Sequence, residues 1–530
     1  MRDFQFPGRS VVMSTNAMIA TSQPMATQVG LEVLRSGGNA MDAAIAASAT
    51  LCVVEPQSTG IGGDCFILYH EAKSGKLHGL NGSGRAPARA TAEEYRRRGF
   101  TEMPQRGILS VTVPGAVDAW QTALERFGTR SLGDALQPAI RYAEEGYAVS
   151  PIVGAFWKRN EAMLASHPDA RRCLTLDGRA PAAGTLHRQP ELAASMRRIA
   201  AEGKEAFYRG AIAEEIVRFS RQENGLLELD DLAAHASEWV EPIHTDYRGV
   251  RLCEIPPNGQ GITALLTLNV LERTGIGELP HLGADHIHTV AEAFKLAIAE
   301  RDKWVSDLHF GQVPVEALLA KDYAARQAAR IDPARALAHP VASGLGGGGG
   351  NTVYLTVVDR DRNCCSFINS TYNNYGSGLV AGSTGITLQN RGYGFVLTEG
   401  HLNCIAPGKR PMHTIIPAMA YRGDKPLLCY GVMGAHYQAM GHSYVLSNWL
   451  DFGMDLQEAI DAPRFLAIDG KLEVERGIPQ ATREELARRG HDIVVCDVPH
   501  GGGQAIYIDW NEGVLQAASD PRKDGCAIGF

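Results

Sequence analysis

One threonine combines a suitable side chain with an unusual position for nucleophilic chemistry. Thr352 follows Asn351 and the glycine run Gly344-Leu-Gly-Gly-Gly-Gly-Gly350, and it opens the strongly apolar segment 352–358. A threonine hydroxyl is a useful nucleophile when a base lies nearby, and one such base is its own α-amine once the preceding peptide bond is cut. An unperturbed α-amine has a pKa of about 7.7–8.0, which suits a general base at neutral pH.

The bond between Asn351 and Thr352 is therefore a candidate for self-cleavage. Attack of the Thr352 hydroxyl on the Asn351 carbonyl would give an N-to-O acyl shift, and water could hydrolyse the resulting ester. The glycine run would let the precursor fold around this bond and then move away. The cut would separate a large fragment, 1–351, ending in a glycine-rich linker, 331–351, from a small fragment, 352–530. A flexible linker without chemistry is the alternative interpretation of the run.

A second candidate lies where the apolar segment 427–433 meets a predicted helix. Gly434 and Ala435 occupy this turn, so their backbone N–H groups lack intrahelical partners and could stabilise a developing oxyanion. Every strand-to-helix turn offers such donors, so this signal is weak on its own.

Cofactor and metal signatures are incomplete. The glycine run lacks the Gly-Lys-Ser/Thr of a P-loop, and a strand follows it where a dinucleotide fingerprint needs a helix. His286 and His288 resemble a metal patch, but two histidines two residues apart diverge on a helix and no third ligand is evident. For these two, and for His436 and His442, core or supporting roles are favoured. We expect neither a cofactor nor a metal.

The elements that must position these residues follow from apolar periodicity and from breakers such as Pro56. Helices are predicted over 24–35, 40–54, 117–126, 136–145, 190–202, 211–222, 285–305 and 436–450. Strands are predicted over 65–69, 77–80, 251–255, 352–358, 364–369, 427–433, 505–508 and 514–518. Hairpins backed by long helices predict helices packed on both faces of antiparallel sheets.

Composition excludes several classes of function. The 530 residues are 45% hydrophobic and 21% charged, which is typical of a globular protein too long for one simple core. The net charge of −8 argues against nucleic acid as a partner. No apolar stretch is long enough to cross a membrane, and the first residues do not resemble a signal peptide, so a cytoplasmic protein is expected. The ten scattered cysteines are expected to be reduced.

Short motifs along nearly the whole chain resemble the γ-glutamyltransferase-family proenzymes, which are N-terminal-nucleophile hydrolases. They are Gly37-Gly-Asn-Ala-Met-Asp-Ala-Ala44, Val54-Glu-Pro-Gln-Ser-Thr-Gly-Ile-Gly-Gly63, Pro256-Pro257, Ala291-Glu-Ala293, Glu300-Arg301, Gly378-Leu-Val-Ala-Gly382, Gly385-Ile386, Lys409-Arg-Pro411 and Ala518-Ser-Asp-Pro-Arg522.

This resemblance implies an α+β fold, a four-layer αββα sandwich made from one self-cleaved chain. It also implies cleavage before Thr352, with Thr352 as the nucleophile that forms an acyl-enzyme. Ser370 falls where the family has a threonine that supports the nucleophile, and Gly434 with Ala435 falls on the oxyanion pair. The two fragments would form a heterodimer, which could dimerise further.

The departures from the family concern its substrate pocket. Typical transferases bind the glutamyl α-carboxylate with an arginine where this chain has Ser83, and Arg85 stands two residues later. Tyr372 replaces an asparagine and Gly394 replaces an acidic residue, both of which bind the substrate α-amino group. Arg391 replaces a glutamine.

Two serines of the family become His413 and Thr414. The pocket has therefore lost its anionic partner for an ammonium group, while Arg85 and Arg391 could bind a carboxylate. Both arginines could instead be structural, paired with acidic neighbours.

The expected substrate is a small amide that carries a carboxylate but no α-amine. This pattern is similar to the branch that includes oxamate amidohydrolases and some cephalosporin acylases. The favoured prediction is hydrolysis of oxamate to oxalate and ammonia. A γ-glutamyl hydrolase or transpeptidase and a glutaryl or cephalosporin acylase are the alternatives within enzymes. A non-catalytic binding or storage protein is the alternative from another class.

Overall fold

The fold is a sandwich of two antiparallel sheets between two layers of helices. The computed structural model describes Gln5, residues 8–338 and residues 352–530. Two seven-stranded sheets face each other across an apolar core, and separate cores lie between each sheet and its helices. The predicted α+β, four-layer αββα architecture is confirmed. Asn351 and the glycine run lie outside the described residues.

Each sheet combines strands from both sides of the Asn351–Thr352 bond. The first sheet, from edge to edge, consists of Val12–Ser14, Val514–Ser519, Gly502–Asp509, Lys425–Met433, Ala418–Arg422, Val250–Glu254 and Ile243–Tyr247. The second consists of Cys526–Gly529, Met18–Thr21, Val353–Val358, Cys364–Ser370, Asp64–Glu71, Lys76–Gly82 and Glu238–Val240.

The strand Val353–Val358 lies inside the second sheet and is buried on both faces, as its apolar sequence predicts. Val353, Leu355 and Val357 point into the core shared with the helices. Tyr354 and Val358 point into the core between the sheets. Because side chains alternate along a strand, Thr352 continues the set that faces the other sheet.

Local sequence explains the two helices that cover the second sheet. Pro24–Arg35 begins with proline, which is well suited to the first turn of a helix. Ala40–Val54 begins at Asn39, whose side chain accepts from the second and third helical N–H groups. Every residue of Ala40–Val54 is buried, so its many alanines allow close packing against its neighbours.

The remaining helices complete the two outer layers and a peripheral helical region. Those packed on the first sheet include Gly261–Leu271, Ala284–Trp304, Tyr437–Leu450 and Leu456–Asp461. Those on or beside the second sheet include Ala116–Phe127, Leu132–Glu145, Pro151–Arg159, Glu161–Ser166, Pro168–Leu174, Pro190–Glu202, Glu205–Tyr208 and Ala211–Gln222. Shorter helices are Ala92–Arg97, Leu229–Ala233, Val315–Leu319, Lys321–Ala328 and Gln480–Arg488.

Smaller elements connect these layers. In the described residues, 3₁₀ turns are found at Ile108–Ser110, Ile276–Glu278, Gly382–Thr384 and Arg391–Gly394. Minor sheets consist of Phe465–Ile468, Lys471–Val474 and Ile493–Val495, and of Tyr147–Ala148 with Leu186–His187. Among the described helices, none has the length and apolar character needed to traverse a bilayer.

The start of the predicted linker is attached to the body of the protein. The Ala336 N–H donates to the carbonyl of Arg489 at 2.8 Å, and the Leu337 N–H donates to the Glu292 carboxylate at 2.7 Å. The part of 331–351 that the structure describes therefore has fixed contacts up to Leu337.

Candidate active site

Thr352 and Ser370 meet at one end of the second sheet. Thr352 is buried at the start of its strand, and its Oγ1 lies 3.1 Å from Ser370 Oγ. The pairing of Val353 with Asn369 brings these two side chains together, and the N–H of Tyr372 donates to Ser370 Oγ at 2.9 Å. Ser370 is thus within hydrogen-bond distance of the Thr352 hydroxyl, and its supporting role stays a prediction.

The packing of the two sheets places the Gly434–Ala435 turn at the same end. Thr356 Oγ1 donates to the carbonyl of Cys429 at 3.2 Å, and two residues earlier Tyr354 lies against Gly431, where a Cβ would be 2.4 Å from the ring. These contacts advance by two residues on each strand. Two residues before Tyr354 is Thr352, and two residues after Gly431 is Met433, the last residue before the turn, so these two positions lie opposite each other. Gly434 has φ +122° and Ala435 has φ +50°, a sharp bend that begins the helix Tyr437–Leu450.

Arg391 is a buried cation with an unused binding edge. Its Nη1 donates to Thr414 Oγ1 at 2.8 Å. Within the described part of the chain, its Nε and Nη2 have no hydrogen-bond partner, although the side chain is 1% exposed. Nε–H and Nη2–H form the side edge of a guanidinium, which matches the two oxygens of a carboxylate. Burial lowers the pKa of Arg391 to about 10, so it still carries its charge at neutral pH.

Tyr372 connects Arg391 to the nucleophile. Its ring centroid lies 4.4 Å from the Arg391 guanidinium carbon, and its N–H contacts Ser370. Tyr372 has φ +81°, an uncommon and strained value for a bulky residue, which costs about 1–3 kcal/mol. Burial raises the pKa of the Tyr372 phenol to about 12, so the ring faces Arg391 in its neutral form.

Asp64 is a functional candidate that the sequence analysis missed. It pairs with Ser370 in the sheet, and its Oδ1 accepts from the N–H groups of Gly84 and Gly115 and from the Gln389 amide, at 3.0–3.1 Å. Burial raises the pKa of the Asp64 carboxyl to about 7, with the nearby Arg391 charge as the largest opposing effect. An aspartate directly before the apolar run Cys65–Tyr69 of this strand was the available signal.

His413 is engaged through both ring nitrogens. Its Nε2 lies 3.0 Å from Asp64 Oδ2, and its Nδ1 accepts the N–H of Ile415 at 3.3 Å. The proton therefore resides on Nε2 and is donated to Asp64. Burial, followed by the Arg391 and Arg410 charges, holds the pKa of His413 well below its usual value. In this arrangement the neutral ring supports the loop that carries Thr414, whereas the prediction gave it a role in substrate binding.

Ser83 and Arg85 belong to a neighbouring cluster. Arg85 pairs with Glu238 at 2.6 Å and with Asp307 at 3.6 Å, which matches the structural alternative considered for this arginine. Ser83 Oγ is buried and accepts from the amide of Asn258 at 3.1 Å.

Gly394 lies at the end of the 3₁₀ turn that begins with Arg391. A Cβ at Gly394 would be 2.6 Å from the carbonyl of Met412. The position that carries an acidic side chain in typical transferases is thus tightly packed in this chain.

The histidine pair of the helix Ala284–Trp304 diverges as predicted. His286 packs among aromatic rings, whereas His288 Nδ1 lies 2.8 Å from His491 Nε2. Glu292 lies beside His288 and His491, so the structure supplies a third group that the sequence did not reveal. The Lys295 ammonium donates to Glu292 at 2.7 Å, so a cation already neutralises this carboxylate. These contacts describe a structural ion pair.

A cavity of about 410 Å³ borders the Gly434–Ala435 turn. Its wall includes Asn374, His500 and residues 494–498. This space would accommodate a group larger than ammonia on one side of the turn.

Comparison with known proteins places this geometry in a family. The profile of the family "Gamma-glutamyltranspeptidase" matches residues 26–530. The glutathione hydrolase-like YwrD proenzyme of Bacillus subtilis (strain 168) is 40% identical, over 98% of this chain and 99% of that protein. The oxamate amidohydrolase proenzyme of Klebsiella pneumoniae (strain ATCC 700721 / MGH 78578) is 33% identical, over 98% and 99%.

A crystal structure of a cephalosporin acylase from Bacillus halodurans superposes with a TM-score of 0.92 at 41% identity, over 100% of this chain and 99% of that one. The fold, the Thr352–Ser370 contact and these matches agree with the family predicted from the motifs. The chain belongs to the gamma-glutamyltranspeptidase family and is a hydrolase of carbon–nitrogen amide bonds.

Proposed function

We propose that this enzyme is a self-processing amidohydrolase whose substrate is a small amide bearing a carboxylate, with oxamate as the favoured substrate. The observation that carries the proposal is the unused Nε and Nη2 edge of Arg391, buried against the ring of Tyr372, whose own N–H contacts Ser370. A relative is described as an oxamate amidohydrolase proenzyme, which supports this substrate.

The proposed reaction begins after cleavage between Asn351 and Thr352. The α-amine of Thr352 accepts the hydroxyl proton while Oγ1 attacks the amide carbonyl, and the N–H groups of Gly434 and Ala435 stabilise the oxyanion. The proton passes to the departing nitrogen, which leaves as ammonia. Water then hydrolyses the ester on Thr352, so that one amide and one water give one carboxylic acid and one ammonia. The fragments 1–351 and 352–530 stay together as a heterodimer.

The charges around Arg391 favour an acid amide over an amino acid amide. The nearby carboxylate is Asp64, whose oxygens are occupied by backbone N–H groups, Gln389 and His413. An α-ammonium group would thus find Arg391 and an already engaged carboxyl. A carboxylate would find two free N–H donors and a full positive charge. In oxamate the carboxylate adjoins the reacting carbonyl, which suits a site in which a single residue, Tyr372, contacts both Arg391 and Ser370.

An acylase with a larger carboxylated acyl or leaving group is the second candidate. The 410 Å³ cavity beside Gly434 and Ala435 favours it, because oxamate needs no such space. The similarity to a cephalosporin acylase structure supports the same candidate function. A γ-glutamyl hydrolase would need a partner for the substrate ammonium in addition to Arg391.

The test compares substrates on the processed enzyme. Ammonia release from oxamate is measured beside nitroaniline release from a γ-glutamyl anilide and hydrolysis of a glutaryl amide. Oxamate is expected to give the highest kcat/KM. Arg391→Met should lower kcat/KM for oxamate about 100-fold or more, since two charge-assisted hydrogen bonds are lost.

Arg85→Met is the matched control, because Arg85 pairs with Glu238 and Asp307, and it should change kcat/KM by less than about threefold. Turnover of the anilide alone, or an unchanged Arg391→Met variant, would contradict the proposal. Preference for the glutaryl amide would favour the acylase.

A further inference from the structure

Gln260 is a fully buried glutamine that connects two loops of the site. Its Nε2 donates to the carbonyl of Thr414 at 2.8 Å and to the carbonyl of Ala435 at 2.9 Å. Its Oε1 accepts from Arg301 Nη1 at 3.0 Å. Both amide N–H groups and the carbonyl are therefore used, and the orientation of the amide is defined by its partners.

The backbone of Gln260 is attached to the loop that carries Thr414. The Gln260 N–H donates to the carbonyl of His413 at 2.9 Å, and the His413 N–H donates to the carbonyl of Asn258 at 2.8 Å. The segment 258–260 thus runs beside 412–414 as a short parallel pairing around Gly259. The side chain of Gln260 extends from this pairing to the Gly434–Ala435 turn.

Arg301 fixes the other end of the Gln260 amide. It is buried, pairs with Asp302 at 2.6 Å and contacts His436 Nδ1 at 2.8 Å through the same Nη1 that reaches Gln260. His436 directly follows Ala435, so Arg301 and Gln260 hold the turn from two sides. The bend itself also accepts hydrogen bonds from the helix that follows, from Tyr437 N–H to the Gly434 carbonyl at 2.9 Å and from Gln438 N–H to the Ala435 carbonyl at 3.2 Å.

The two loops that Gln260 joins are the two ends of the proposed substrate site. Thr414 accepts from Arg391, whose free edge faces the substrate carboxylate. Ala435 supplies an oxyanion donor. We propose that Gln260 is a positioning residue that sets the separation between Arg391 and the oxyanion turn, and with it the length of acid amide that the enzyme accepts. This inference rests on the proposed function and names its specificity determinant.

The test uses Gln260→Met, which keeps the size of the side chain and removes its three hydrogen bonds. On the processed enzyme, kcat for oxamate should fall at least about tenfold, while KM changes less than about threefold. The preference for oxamate over malonamate, which is one carbon longer, should shrink at least about fivefold in kcat/KM, since the two ends of the site are no longer held at one distance.

Gln457→Met is the matched control. Gln457 is also buried, and its amide donates to Asp461 and to the carbonyl of Ser519 and accepts the Ser519 N–H. It should show a comparable change in Tm without a change in the oxamate preference. Gln260→Glu is the second variant if Gln260→Met does not fold, because it keeps the contact with Arg301 while its oxygens repel the carbonyls of Thr414 and Ala435.

The outcomes separate this inference from the proposed function. A wild-type enzyme that hydrolyses neither acid amide refutes the substrate and the proposed length selection. The positioning role is then still measured as kcat on the anilide or glutaryl amide that the enzyme does hydrolyse. Gln260 variants that retain kcat and the oxamate preference of the wild type overturn the inference. If Gln457→Met lost as much kcat and as much preference for oxamate as Gln260→Met, general destabilisation would explain the effect of Gln260→Met, and the inference would be overturned.

Discussion

At the scale of single residues, the site separates groups that are engaged from groups that are free to bind. Asp64 and His413 use their polar atoms on each other and on the backbone. Arg391 keeps two N–H groups without a partner in the described structure, and it is buried beside Tyr372. Burial of an unpaired donor costs about 1–3 kcal/mol, so this edge is costly unless a ligand or water meets it.

Thr352→Ala is expected to abolish both cleavage and turnover, because it removes the hydroxyl that performs both attacks. A denaturing gel should show one band near the 57.1 kDa of the whole chain, where the wild type gives two. Thr352→Ser keeps a hydroxyl beside Ser370 and is the control that should retain cleavage. A cleaved Thr352→Ala variant would refute the assignment of the nucleophile.

At the scale of elements, the proposed oxyanion donors Gly434 and Ala435 lie in a turn with unusual backbone angles. Gly434 has φ +122°, outside the left-handed region that other residues can reach, and a Cβ there would lie 2.8 Å from the Cα of Gly501. Ala435 has φ +50°, which a non-glycine residue can adopt at a cost of about 1–2 kcal/mol. The two positions therefore differ in what they tolerate.

Gly434→Ala should lower kcat at least about tenfold and lower Tm, because both the φ angle and the contact with Gly501 oppose a side chain. Ala435→Gly should keep activity within about threefold and leave Tm unchanged or slightly higher, since it relieves backbone strain. Steady-state kinetics and thermal unfolding of both variants check this. Equal effects in the two variants would contradict this account of the turn.

Local signals predicted the elements but not all of their partners. Pro24–Arg35, Ala40–Val54, Pro190–Glu202 and Ala211–Gln222 have the predicted bounds, because their ends are set by nearby residues such as Pro56 and Gly210. The strands Val12–Ser14, Met18–Thr21 and Cys526–Gly529 were missed, since they are short and their partners lie far away in sequence. Gln480–Arg488 and the small sheet beside it were also missed.

The same distinction holds for the site. Thr352 and Ser370 follow from motifs, and the structure brings their hydroxyls together. The roles of Asp64 and Gln260 depend on contacts between segments 349 and 175 residues apart, which one sequence does not show. Arg85 has acidic partners, whereas Arg391 has a free edge in the described structure. This difference, too, became visible only from three-dimensional contacts.

At the scale of the whole molecule, the buried core contains carboxyl groups whose pKa is raised by burial. Burial raises the pKa of Glu55 from 4.5 to about 7, with the Lys523 charge and hydrogen bonds from Ser22 and Ser58 opposing the shift. Burial also raises the pKa of the Asp64 carboxyl. Between about pH 4.5 and 7 Glu55 therefore binds more protons in the folded protein than in the unfolded chain, so its own contribution to stability falls as the pH rises.

Glu55→Gln should weaken this decline, because glutamine needs no proton to stay neutral. Relative to the variant, the wild type is expected to lose stability from pH 5 to pH 7, by on the order of 3 kcal/mol at most for one group, and the difference in Tm between the two proteins should change accordingly. Thermal unfolding of both proteins in buffers of equal ionic strength measures the difference. A difference in Tm between the two proteins that stays constant over this range would contradict the assignment.

Because both sheets contain strands from both fragments, the order of the two fragments along the chain could be exchanged. The carbonyl of Phe530 accepts the N–H of Asn16 at 2.8 Å, so residues from opposite ends of the chain lie side by side. A circular permutant that joins this end to residue 8 through a short linker, and opens at Thr352, would keep every described strand in place. Its first residue after removal of the initiator methionine would be Thr352, so the free α-amine would be supplied by translation and catalysis could be studied apart from maturation.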